Sequence, residues 1–332
     1  NNITTEYALA DALTGDFVQA NGLIAPPPVW ATVSAWGMGG MVVSGLRAAT
    51  EYRWRVMARN GDGVETAFGP QTTVATATGP TPVYLAVGQN LADHKSGAPT
   101  VALAGGTATF SQPQVADNLG VGDVVAYGAS GVAHLAAKIT TSMWRVVTPT
   151  GGVPADVSGA TVTSIRHAYS SLGGAVSDLS VVLGSPDLVA NNYAVDIPCY
   201  FDTGPDVTNV VLAGLTSDAT RRIRIYTPID TARECNRSQR HAGVWDDSKY
   251  NLQVGDVTGI SIRTTSGTIE GLQIWSTTGT ITSDRFAIEL RLSSGVVDVA
   301  VASNILRGTA HTGGNWLQAY TDYTSAGTAS DR

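Results

Sequence analysis

Cysteine is nearly absent from this chain: its 332 residues include two, Cys199 and Cys235. Two cysteines cannot build a disulfide framework. One bridge or two buried thiols both remain open, and neither reports a redox compartment. Charge is scarce too, at 14% of residues, which argues against a disordered, highly charged polymer. The formal net charge of −7 is spread without blocks, so there is no electrostatic footprint for nucleic acid. No apolar run reaches the ~18 residues of a membrane span, and none is expected in this segment. The five histidines, His94, His134, His167, His241 and His311, are scattered. With no H-x-x-x-H or C-x-x-C pairing and no D-x-D-x-D-G loop, no metal ligand set is expected. A structural calcium is the one metal left open, and no other cofactor is expected. No G-x-x-x-x-G-K-[ST] or G-x-S-x-G occurs, which removes the phosphate cradle and the nucleophile elbow. Residue 1 is not Met and opens no signal peptide, so a window from a longer protein is expected, with any targeting segment upstream.

What is present is glycine, 37 residues of it, together with Thr, Val and Ser. These favour short strands and tight turns over long helices. At about 150 residues per domain, two or three domains are expected. Within residues 1–79, Tyr52, Trp54, Val56 and Ala58 alternate on one face of a half-buried strand. Asn60-Gly61-Asp62-Gly63 follows as a hairpin turn, and a second strand is expected over Gln71–Thr76.

Val43-Ser44-Gly45-Leu46, Thr50-Glu51-Tyr52, Val56-Met57-Ala58-Arg59-Asn60 and Val74-Ala75-Thr76-Ala77-Thr78 resemble the C-terminal half of a fibronectin type III domain. The resemblance implies that Tyr52 packs into a sandwich, its hydroxyl bonding back to the preceding loop. The family's first two strands are not evident before Thr5-Glu6-Tyr7-Ala8-Leu9. The module is therefore expected to be incomplete at its N-terminus.

Gly79-Pro80-Thr81-Pro82 reads as an extended linker. Residues 80–163 form a β-rich connecting region without visible chemistry. Its candidate strands are 83–87, 107–110, 123–127, 134–139 and 143–147. Ile165, Tyr169, Leu172 and Val176 then fall on one helical face, with Ser164 as N-cap. Such a helix, set among strands, would plug the open end of a β stack.

From about residue 178 short apolar runs recur, separated by small and polar residues. They include Leu179–Leu183, Ala194–Tyr200, Val207–Leu212, Ile223–Tyr226, Leu252–Val254, Gly259–Ile262, Ala287–Leu292 and Val296–Val301. These, with Ile269-Glu270-Gly271-Leu272-Gln273-Ile274 and its corner glycine, resemble a right-handed parallel β-helix. The resemblance implies stacked coils, a capping helix before the first coil and continuation past Arg332. The irregular spacing leaves a β-sandwich as the competing architecture.

The densest polar segment runs from Arg233 to Tyr250, a long insertion between two apolar strands. Loops of that length are usually functional or locally packed. Arg237, Arg240 and Lys249 could hold an acidic sugar, His241 could act as a base, Trp245 could stack on a pyranose, and Asp246 completes the candidate binding set. The bland alternative is an ordered loop of Arg–Asp pairs with Trp245 folded down. Asp202 with Asp206 and Asp246 with Asp247 are the nearest carboxylate pairs, and both read better as turns. Trp30, Trp275 and Trp316 are candidate carbohydrate platforms or, alternatively, core residues.

The sequence thus predicts an all-β chain with a fibronectin type III-like sandwich over 1–79 and a β-rich connecting region over 80–163. A right-handed parallel β-helix with an N-terminal capping helix is expected over 164–332. The expected function is non-enzymatic: a structural or adhesive segment of a large extracellular bacterial surface or filament protein. Its expected partners are copies of itself, neighbouring surface-protein domains and glycans. Two alternatives stand beside it, a phage tail fibre or spike in a virion and a polysaccharide lyase or glycoside hydrolase.

Overall fold

The computed structural model describes residues 4–20, 22–37, 39–43, 46, 50–76, 79–277, 285–291, 298–308 and the backbone of 317–322. The sequence features at Ser44-Gly45, Ala77-Thr78, Val296-Val297, His311 and Trp316 lie outside the described residues. The chain is all-β in character and divides into two compact units, residues 1–79 and 80–332. No helix among the described residues is long and apolar enough to cross a membrane.

The first unit contains β1 (Glu6–Asp11), β2 (Phe17–Val18), β3 (Ile24–Ala25), β4 (Ala31–Thr32), α1 (Val33–Trp36), β5 (Glu51–Arg59) and β6 (Thr72–Ala75). Its antiparallel sheet runs β3-β2-β1-β5-β6, with β4 also paired to β1. Ala8, Ala10 and Val18 are buried. The expected turn forms after β5, where Asn60 Oδ1 accepts the amides of Asp62 and Val64. The returning strand starts only at Thr72 and pairs with the first half of β5. Tyr52 is half-buried and stacks on Trp54 at 5.8 Å, while Val56 on the same face is exposed.

The second unit opens with β7 (Thr81–Tyr84). Pro82 is tolerated there because β7 ends its sheet and needs one hydrogen-bonding partner strand. A closed barrel follows, built from β8 (Thr100–Ala104), β9 (Thr107–Phe110), β10 (Val124–Tyr127), β11 (Gly131–Thr140), β12 (Met143–Val147) and β13 (Val157–Arg166). Its strands are ordered β10-β11-β12-β9-β8-β13, every neighbouring pair antiparallel. Closure removes the edges that would otherwise invite pairing with another chain. Val101, Leu103, Phe110, Val125, Leu135, Trp144, Val146 and Ile165 fill the interior.

Two short helices come next, α2 (Leu172–Ser177) and α3 (Leu179–Leu183). The expected single helix over 164–176 is displaced. Ile165 belongs to β13 and points into the barrel, so its helical spacing with Tyr169 is coincidental. Ser171, not Ser164, caps α2, its hydroxyl accepting the Gly174 amide. Gly173-Gly174 is tolerated because Asp206 and Thr208 hold the amides of Leu172 and Gly173 at 2.6 and 3.1 Å. Leu179–Leu183, read from sequence as a strand, is α3. It ends at Gly184 in the left-handed region.

The remaining elements are β14 (Tyr193–Pro198), β15 (Val210–Leu212), β16 (Ile223–Tyr226), β17 (Asn251–Val254), β18 (Ile260–Ile262) and β19 (Ser266–Glu270). They continue with β20 (Gln273–Ser276), β21 (Arg285–Leu290), β22 (Asp298–Ala302), β23 (Ile305–Gly308) and β24 (Leu317–Asp322). They form parallel sheets in the orders β7-β14-β16-β19-β22, β15-β18-β21-β24 and β17-β20-β23. The chain visits these sheets in rotation. From β16 on, each strand of the first sheet is followed by one of the third and then one of the second. In the preceding round the isolated bridge of Asp206 to Leu252 stands in for the third sheet.

Register stacks like on like. Ile197, Ile225, Ile269 and Val301 are aligned in the first sheet, and Leu252, Ile274 and Leu306 in the third. These residues, with Val210, Leu212, Ile260, Ile262 and Ile288, form one core that Leu172, Ala175, Leu179 and Leu183 of the helices join. Gly271 makes the corner between β19 and β20 at φ +76°, a conformation a side chain would strain. Cys199 and Cys235 are free and buried, so the two do not bridge.

Candidate functional site

The polar segment 233–250 is half-exposed, with Cys235, Gln239 and Tyr250 buried. Arg237 reaches Asp117 at 2.9 Å, both side chains mostly exposed. Arg240 pairs with Glu270 at 2.9 Å and donates to Thr227 Oγ1 and its carbonyl. His241 donates Nε2–H to the Ser303 carbonyl at 2.9 Å and accepts the Gly243 amide on Nδ1. Burial and the neighbouring Arg240 hold its pKa below the usual imidazole value. Asp246 accepts the Ser248 amide and hydroxyl, and its own amide donates to Gln273 Oε1. Lys249 donates to the Ser238 carbonyl at 2.6 Å. Trp245 lies edge-on to Trp275 at 6.0 Å, and Arg307 stacks over Trp275 at 4.0 Å. Each polar member of the expected set therefore has a partner within the fold.

The outer face of the first parallel sheet carries a second charged group. Glu270 bridges Arg224 and Arg240, at 3.1 and 2.9 Å. Arg224 also lies 3.7 Å over the Tyr226 ring. Burial pushes the carboxyl of Asp196, the in-register neighbour of Arg224, up to about 6 despite the guanidinium.

The most organised chemistry lies elsewhere, at the seam between the barrel and the first parallel sheet. Asp123 directly precedes β10, and His167 directly follows β13. The antiparallel pairing of Val124 with Arg166 brings them together. His94 comes from the connection between β7 and β8, tied to the end of β13 by its amide on the Ile165 carbonyl at 2.7 Å. Asp93 reinforces that tie by accepting the Ile165 amide at 3.0 Å. Asp202 follows β14, and its amide donates to Gln89 Oε1 at 2.7 Å.

His167 Nδ1 meets Asp123 Oδ1 at 2.6 Å, and Nε2 meets Asp202 Oδ1 at 3.1 Å. Both contacts are closed to solvent, with side-chain exposures of 0% for His167 and Asp123 and 2% for Asp202. His94 Nε2 approaches the same Asp202 oxygen at 3.8 Å, beyond hydrogen-bond reach, and has no hydrogen-bond partner. Its side chain is 9% exposed. Asn118 Nδ2 donates to Asp202 Oδ1 at 2.5 Å, and the Asn90 amide to Oδ2 at 3.2 Å. The Gly120 amide donates to Asp123 Oδ2 at 2.8 Å. Tyr200 stacks on His167 at 4.9 Å and is anchored by its hydroxyl on the Val121 carbonyl.

Gly88 closes the site. A Cβ there would sit 2.2 Å from His167 Cδ2 and 2.3 Å from Asp202 Oδ2. No side chain fits in that position without moving the pair.

The electrostatics follow from the geometry. Burial alone would lower the His167 pKa, but Asp123 and Asp202 overcome it and hold the imidazolium to about 9. Burial tends to raise Asp202, yet His167 keeps it below the ordinary carboxylate value. His94 shifts down, through burial and then repulsion by His167. The cluster thus sets a histidine shifted down against one shifted up, across a shared carboxylate. His94, His167 and Asp202 could together hold a metal ion, since one ligand atom from each lies within 4.8 Å of the others.

The sequence offered little signal for this assembly. In sequence Asp202 pairs only with Asp206, whose carboxylate instead serves the Leu172 amide, the Tyr250 hydroxyl and Thr208. Asp123 lay in a region read as free of chemistry, and the two histidines share no motif. No family model matches the chain, and no curated protein or solved structure matches it either.

Proposed function

We propose that the chain is a non-enzymatic structural and adhesive segment of a large extracellular bacterial surface or filament protein. In this reading residues 164–332 wind as a right-handed parallel β-helix with α2 and α3 at one end, and residues 1–79 are a fibronectin type III-like module. The observation that carries the reading is the in-register rotation of strands through the parallel sheets, which stacks aliphatic residues in continuous columns. Repetition of that kind builds a stiff rod whose neighbouring coils are mutually dependent. The hand follows from the strong preference of parallel crossovers for right-handed connection. The pairing of Arg237, Arg240, His241, Asp246 and Lys249 with protein groups supports a scaffold over an open catalytic groove.

Glycans are the proposed ligands, with Trp275, Trp245 and Arg307 on the outer side of the third sheet as the contact surface. Sedimentation of the intact chain and a glycan-binding screen test the proposal together. Self-association, or saturable glycan binding weakened by Trp245→Ala, is the expected result. A trimer would move the reading to a virion fibre or spike. A strict monomer that binds no glycan would overturn it.

A further inference from the structure

We propose that His94, His167 and Asp202 form a binding site for one divalent transition-metal ion of the zinc type, clasping the barrel to the first parallel sheet. The inference is independent of the adhesive reading above. It begins with the donor set: two imidazole nitrogens and one carboxylate oxygen, with the ion displacing the Nε2 proton of His167 to solvent. That set suits Zn²⁺ and its neighbours in the first transition row. It does not suit Ca²⁺, which takes six to eight oxygens.

Orientation supports it. The Nδ1–H of His167 is committed to Asp123 at 2.6 Å, which turns Nε2 toward Asp202. A carboxylate behind a ligating histidine fixes the ring and raises its donor strength. His94 supplies the independent observation. Its Nε2 is buried, lacks a hydrogen-bond partner, and faces Asp202 Oδ1 from 3.8 Å. A buried polar atom without a partner is costly, and a metal ion would satisfy it.

The distances agree. Tetrahedral bonds of about 2.0–2.1 Å place neighbouring ligand atoms roughly 3.3–3.4 Å apart. The observed separations of 3.1 Å and 3.8 Å fall on either side of that value. The third separation, between the two imidazole nitrogens, is within 4.8 Å, so side-chain movement would accompany binding, with water as the fourth ligand. The ligands come from the β7–β8 connection, the end of β13 and the segment after β14, so one ion would join segments far apart in sequence. The three side chains are at most 9% exposed, so the ion would lie nearly closed to solvent.

The test uses the intact, tag-free chain, stripped with a chelator and titrated with Zn²⁺ by calorimetry. Co²⁺ serves as a spectroscopic probe. One equivalent of Zn²⁺ should bind and raise the melting temperature, and Co²⁺ should show tetrahedral d–d absorption. His94→Gln removes the ligand atom without breaking a hydrogen bond of Nε2, and its own metal-free melting temperature is the reference for its metal effect, because the ring packs on His167 at 4.7 Å. The same variant should weaken Zn²⁺ binding at least tenfold and abolish the Co²⁺ spectrum. Asp123→Asn should weaken binding by about 10–100-fold, as for other second ligand shells. Absence of stoichiometric Zn²⁺ binding to the wild-type chain would overturn the proposal. So would binding and a Co²⁺ spectrum that His94→Gln leaves unchanged.

Discussion

Raising the pH should loosen the seam between barrel and parallel sheet by a calculable amount once metal is removed. His167 lies between Asp123 and Asp202, which hold its pKa up to about 9 against about 6.5 for a free imidazole. The folded chain therefore keeps a proton up to about pH 9 that the unfolded chain releases near pH 6.5. This stabilisation is complete below pH 6.5 and is lost as the pH rises through 9. Within that window the unfolding free energy should fall by about 1.4 kcal/mol per pH unit. The whole contribution is about 3 kcal/mol. The assay is urea unfolding of the intact chain in EDTA, read by far-ultraviolet circular dichroism at steps between pH 6.5 and 9.5. His167→Gln provides the reference, because an amide does not titrate. The difference between the two slopes reports His167 together with the release of its repulsion on His94. Equal slopes would refute the claim that the imidazolium is shared between the two aspartates.

Other parts of the structure give sharper or smaller effects. Ile225 is fully buried between Ile197 and Ile269, so Ile225→Ala should cost about 2–5 kcal/mol in chemical denaturation. Gly88→Ala should destabilise by about 1–3 kcal/mol, since its Cβ would overlap His167 and Asp202. Asp206→Ala leaves the Leu172 amide and Tyr250 hydroxyl without their acceptor and should cost about 1–3 kcal/mol. Arg237→Ala should change stability by less than about 1 kcal/mol, because its pair with Asp117 is mostly exposed.

Local pattern carried much of the secondary structure. The alternation of Tyr52, Trp54 and Ala58 appears as β5, and the apolar runs at Ile223, Leu252 and Gln273 as β16, β17 and β20. Gly271 occupies the expected corner. What local pattern could not give was closure and partnership. The barrel depends on β13 pairing with both β8 and β10, contacts between segments far apart in the chain. The helix lies later than its spacing predicts because Ile165 is apolar for a strand's reason and matches a helical spacing by accident. The histidine cluster was hidden for the same cause. His94, Asp123, His167 and Asp202 are single residues on separate segments, and only the closed barrel set against β14 brings them within reach. The loop at 233–250 stood out because its polar residues are contiguous, yet their partners are groups of the fold.

Under the proposed function the polar side chains of this chain hold a scaffold together and do not turn over a substrate. Incubation of the intact chain with acidic and neutral polysaccharides, monitored for new reducing ends and unsaturated uronates, tests it most directly. No cleavage above buffer is predicted. Product formation by the wild-type chain that is lost in Arg240→Ala, His241→Ala or Lys249→Ala would contradict it.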